Sequence, residues 1–95
     1  MPPREAELYR RCDEVLHYLW DPIGVAGAPE ARDEYDSYLP HIFALVRSNV
    51  DPAEIVDALV QIETESIGLS ASRRRAGHVA ALLLEWRQRL LDDAV

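Results

Sequence analysis

Apolar residues recur at steps of three and four in four segments of this chain, and nowhere do they alternate with polar residues over a strand's length. Side chains at those steps return to one face of a 3.6-residue turn, so the pattern demands helices that each bury a single stripe. In the first segment Leu8, Cys12, Val15 and Leu19 form the stripe, and Leu16 widens it. The second carries Leu39, Ile42, Phe43, Leu45 and Val46. The third shows Ile55, Leu59, Ile62 and Ser66 on one face. In the last, Ala76, Val79, Leu83, Trp86 and Leu90 follow the rhythm of a packed helical seam. Leu84 and Leu91 lie off that seam and either close the core or form a dimer face.

Turn and cap residues set the boundaries. The first helix follows Pro2-Pro3 and is expected over 3–19, because Pro22 pushes Asp21 out of the helical region. Asp21-Pro22-Ile23-Gly24 has the residue order of a type I turn. Residues 20–36 then show no periodicity and read as a long loop, kept ordered by Ile23 and Val25. Ser37 is a candidate cap for a helix over 37–48, with Pro40 in its first turn; a turn of helix starting near Pro29 is the alternative. Asp51-Pro52-Ala53-Glu54 opens a third helix over 52–67, closed by Gly68. Ser70 or Ser72 opens a fourth over 71–92. The expected fold is therefore all-α: a single domain over residues 1–95, built as a four-helix bundle with a long ordered loop between helices 1 and 2.

Composition then limits the function classes. Formal net charge is −7, which disfavours a duplex nucleic-acid surface, since phosphate binding needs a concentrated basic footprint. An acidic surface suits a basic protein partner or mimicry of nucleic acid. The single cysteine allows no internal disulfide and no four-thiolate zinc site, so a reducing, cytoplasmic setting is expected. No apolar run approaches a membrane span, and the N-terminal stretch MPPREAELYRR lacks the pattern of a signal peptide. No phosphate-binding glycine loop and no Gly-x-Ser-x-Gly occurs, so no cofactor and no catalytic residue is assigned. Cys12 sits on an apolar stripe and reads as a buried structural thiol.

The densest chemistry lies in DEYDSY, where Asp33, Glu34 and Asp36 surround Tyr35 and precede Tyr38. As a docking patch, tyrosines supply contact area at low entropic cost and carboxylates steer Lys and Arg of a basic partner. As a structural unit, the tyrosines pack the loop onto the core and the acids sit near a helix N-terminus, favourable by about 0.3–1 kcal/mol. As a metal site, the acids would bind with His17 or His41, but their spacing fits no standard metal loop. Arg73-Arg74-Arg75 is the other unusual run. It opposes the dipole at the start of helix 4, so it either pairs with Glu63, Glu65 or the Asp33–Asp36 cluster, or meets an anion or partner. Trp20 is expected to anchor the mouth of the loop, and Trp86 to lie in the core.

LWDPIGV and ARDEYDSYLP together resemble a family of small bacterial proteins that share W-D-P-I-G and D-E-Y-D-x-Y signatures and a later IGLS-like stretch, here Ile67 to Ser70. That family carries no known activity. The resemblance implies that Trp20, Asp21, Pro22, Gly24, Asp33, Glu34, Tyr35, Asp36 and Tyr38 form one shared unit, with Trp20, Asp21, Pro22 and Gly24 shaping the loop. In surface chemistry DEYDSYLP is also similar to the acidic, tyrosine-rich, proline-ended patch of colicin DNase immunity proteins, whose tyrosines are adjacent, whereas here Asp36 and Ser37 separate them. The leading expectation is a non-enzymatic protein-binding module, an immunity-type inhibitor docking a basic partner such as a toxin. A metal-binding protein or metal-dependent enzyme using Asp33, Glu34 and Asp36, and a homodimeric structural subunit joined through Leu84 and Leu91, are the alternatives.

Overall fold

A computed structural model describes residues 2–20, 35–66 and 72–92. The protein is an all-α four-helix bundle, and no strand occurs among the described residues. Helix α1 spans Pro3–Val15 and continues into a wider π-turn over Leu16–Trp20. Helix α2 spans Leu39–Arg47, α3 spans Pro52–Gln61 and α4 spans Arg73–Arg87. The last two also end in π-turns, over Ile62–Ser66 and Gln88–Asp92.

The caps explain why the helices start where they do. Asp51 accepts the Ala53 N–H at 2.9 Å, and Pro52 occupies the first helical position, where a missing N–H costs nothing. Ser72, the second of the two expected candidates, caps α4 by accepting the Arg75 N–H at 3.2 Å. Helix α2 differs from expectation. Tyr38 takes the cap position in place of Ser37, without a side-chain cap, and a turn closed by the Tyr38 N–H donating to the Tyr35 carbonyl at 3.0 Å leads into it. Pro40 does lie in the first turn. Helix α2 ends through Asn49, whose φ of 54° is the left-handed conformation that asparagine tolerates better than most residues.

Helix α1 packs on α2 and α4, and α3 packs on α2 and α4, so the helices run in order around the bundle while α2 also touches α4 across it. Helices α1 and α4 are antiparallel: Arg4 reaches the Leu90 carbonyl at one end, Arg11 lies over Trp86 in the middle, and Leu19 approaches Val79 at the other. The core gathers Leu8, Cys12, Val15 and Leu16 of α1 and its π-turn, Ile42, Phe43 and Val46 of α2, Ile55 and Leu59 of α3, and Ala76, Val79, Ala80 and Leu83 of α4. At about 25 cal/mol per Å² of apolar surface, burial of these aliphatic groups is the main stabilising contribution. Tyr9 adds an edge-to-face contact with Phe43 at 4.9 Å. Leu84 and Leu91 are half-buried and pack against this core.

Trp86, expected in the core, is only half-buried against it, and one expected core residue is exposed. Leu19 is 55% exposed, and Trp20 is buried in its place. The π-turn is the reason. An i to i+5 turn inserts a residue, so the buried stripe runs from Val15 to Trp20 and not from Val15 to Leu19.

Candidate functional site

At one end of the bundle the π-turn of α1, the turn before α2, the π-turn of α3 and the start of α4 converge. Trp20 donates its indole N–H to Glu63 Oε1 at 2.6 Å, inside the protein. Its ring lies 5.5 Å from that of Tyr35, and Tyr35 lies 6.3 Å from His17. Tyr18 meets the other histidine contact, edge-on at 4.5 Å. Trp20, Tyr35, His17 and Glu63 are all buried, whereas Tyr18 is 53% exposed. Two members of the sequence signatures, Trp20 from W-D-P-I-G and Tyr35 from D-E-Y-D-x-Y, are therefore in direct ring contact.

Glu63 is the unusual member. It has no solvent exposure, and its nearest guanidinium among the described residues, Arg75, stands 3.9 Å from Oε1, beyond hydrogen-bond reach. Among the described residues Glu63 Oε2 and His17 Nδ1 are buried without a hydrogen-bond partner. Burying a carboxyl group is unfavourable unless it is paired, so the indole N–H and the arginine field are what hold it there. The arginine run, exposed throughout, is thus partly matched within the chain. Arg75 faces Glu63 as expected, Arg73 pairs with Asp57 at 2.8 Å, an acid outside the expected set, and Arg74 is exposed.

The expected docking residues divide. Tyr35 is 3% exposed and belongs to the core, so of its two expected roles it takes the structural one, packing onto the core, and is not available as a docking residue. The reason is the ring contact with Trp20, which needs it inward. Asp36 is exposed and Tyr38 is half-buried against the core. Asp21, Pro22, Gly24, Asp33 and Glu34, together with Ile23, Val25, Gly68 and the long-loop expectation over most of its length, lie outside the described residues. Among the described residues no three His, Cys, Asp or Glu side chains converge on a position that could hold a metal. His41 is exposed on α2. Cys12 is buried among aliphatic side chains, and desolvation pushes its thiol up to about 12, so it is not a ready nucleophile. No helix among the described residues is long and apolar enough to cross a membrane.

The placement of three residues was not foreseen: Glu63 inside, Tyr18 and Leu19 outside. Glu63 stands four positions after Leu59 and eight after Ile55, so an acid on an apolar stripe was a readable signal of a buried polar group. Tyr18 and Leu19 carried no such signal, because only the π-turn turns them outward. No protein family, curated protein or solved structure matches the chain.

Proposed function

We propose that this chain is a non-enzymatic, acidic protein-binding module of the immunity type, which docks and inhibits a basic partner such as a nuclease toxin. The observation that supports the reading best is Tyr18, a large aromatic that is 53% exposed and one imidazole ring away from Tyr35. It supplies the outward aromatic anchor that Tyr35, being buried, does not. Asp36, exposed beside it in sequence to Tyr35, supplies a carboxylate toward Lys or Arg, and the net charge of −7 steers a cationic partner inward. In this mechanism the acidic surface occupies the cationic cleft in which a nuclease holds phosphate, and blocks substrate entry.

Affinity purification from the source cell, followed by binding measurements with the recovered partner, tests the proposal. A stoichiometric basic partner is expected. Its affinity should fall at least about tenfold in Tyr18→Ala, by about 1.4 kcal/mol or more, and fall further as salt rises. Recovery of no such partner, or unchanged binding after Tyr18→Ala and Asp36→Ala together, overturns it.

A further inference from the structure

The outward ring of Tyr18 rests on a residue that is unfavourable to bury. His17 precedes it in the same π-turn and is 2% exposed. Among the described residues its Nδ1 has no hydrogen-bond partner. Buried polar side chains normally offset their desolvation with a hydrogen bond, and this nitrogen does not. A leucine would fill similar space without a polar atom. Stability alone therefore gives no reason for histidine here.

What the imidazole does supply is a ring between two others. It meets Tyr18 edge-on, with centroids 4.5 Å apart and planes at 86°. It lies 6.3 Å from Tyr35, at an interplanar angle of 58°. Both separations fall in the range that aromatic pairs prefer. Adjacent side chains on a regular helix do not face each other, so the close His17–Tyr18 contact is particular to this turn. Behind it Tyr35 lies 5.5 Å from Trp20, whose indole N–H is held by Glu63. A continuous run of rings thus connects a buried carboxyl group to the surface. Its inner members are buried and close-packed, which fixes the ring against which Tyr18 sits.

An exposed aromatic side chain ordinarily changes rotamer in picoseconds to nanoseconds, and immobilising it on binding costs affinity. A ring already seated avoids that cost.

We infer that His17 is a positioning residue, whose buried imidazole fixes the ring of Tyr18 in one outward orientation before any partner arrives. The use of that orientation rests on the docking role proposed above, whereas the orientation itself does not.

Two variants separate positioning from core filling: His17→Leu removes the ring, and His17→Phe keeps one. With ring-labelled tyrosine, NMR relaxation reads the order of each ring axis, and buried Tyr35 is the internal standard for a fixed ring. Tyr18 should be nearly as ordered as Tyr35 in the parent and in His17→Phe, and clearly less ordered in His17→Leu. Denaturant unfolding should find His17→Leu at least as stable as the parent. A histidine serving only the core gives the opposite pair of results. With the basic partner in hand, His17→Leu should bind about two- to tenfold more weakly and His17→Phe within about twofold of the parent. In a Tyr18→Ala background His17→Leu should add no further loss.

A Tyr18 ring that is already mobile in the parent, one equally ordered in His17→Leu, or a clear loss of stability in His17→Leu overturns the inference, and none of these results needs a partner. Unchanged affinity in His17→Leu beside a weakened Tyr18→Ala overturns it as well. Failure to recover a basic partner sinks the docking role instead, and the ring measurements then decide the positioning role by themselves.

Discussion

The two ends of the bundle solve the same problem in opposite ways. At the end that holds the start of α1 and the finish of α4, the chain closes with ion pairs at the surface, each with one partner well exposed. Arg47 meets Glu5 at 2.7 Å, Arg87 meets Asp92 at 2.6 Å and also donates to the Arg47 carbonyl at 3.2 Å, and Arg4 reaches the Leu90 carbonyl. At the other end a carboxyl group is taken inside, held by one indole N–H and faced by aromatic rings. Solvent screens the first set, so each pair contributes about 0–1 kcal/mol. Nothing screens the second. There a lost partner leaves a buried polar group unsatisfied, at about 1–3 kcal/mol or more. Two ends of similar polarity thus differ in how far they determine the fold.

That contrast can be broken or sharpened by substitution. Trp20→Ala should have the largest effect, about 3–5 kcal/mol of stability in denaturant unfolding, because it opens a cavity and strands Glu63. Trp20→Phe keeps a ring against Tyr35 and loses only the N–H, so it should fall clearly short of that value. A full-sized loss in Trp20→Phe would place the energy in the hydrogen bond and not in the packing. Glu63→Ala follows, at about 1–3 kcal/mol, through the orphaned indole N–H. A variant as stable as the parent would put this end in the same class as the other.

Cys12→Ala should cost about 1 kcal/mol at neutral pH, through a small cavity in the α1 stripe. It also changes the alkaline limb of the stability curve. Unfolded, the thiol ionises near its ordinary 9.0, and folded it keeps its proton up to about 12 because burial disfavours the thiolate. The unfolded state sheds its proton first, so this contribution is intact below pH 9.0 and is lost as pH climbs toward 12. In Cys12→Ala the fall above pH 9.0 should be shallower, measured by unfolding at a series of pH values. Glu5→Gln should have the smallest effect, within about 0.5 kcal/mol at moderate salt. A loss above about 1.5 kcal/mol there would erase the distinction between the ends.

Much of this was legible before any coordinates. The seam residues Ala76, Val79 and Leu83 are buried, Asp51 and Ser72 cap their helices, and Pro52 opens α3. These features depend on spacing within one turn or on a side chain bonding a backbone group two or three residues away, and such local rules are carried by adjacent sequence. The candidate site was legible only in part. Trp20 and Tyr35 were both singled out, but neither their ring contact nor the inward turn of Tyr35 followed from the sequence. An aromatic beside carboxylates suits a docking patch and a loop anchor equally well, and only the location of Trp20 chooses between them.

By itself the sequence determined four helices, the capped starts of α3 and α4, an aliphatic core and an acidic surface, because each follows from periodicity, local hydrogen bonding or summed charge. Only the tertiary structure decided that Leu19 faces out and Trp20 in, since a single π-turn rotates the stripe by one residue. It also decided that Glu63 lies inside. A buried carboxyl group is tolerable only where a donor 43 positions away arrives within hydrogen-bond reach, and no local pattern encodes that meeting.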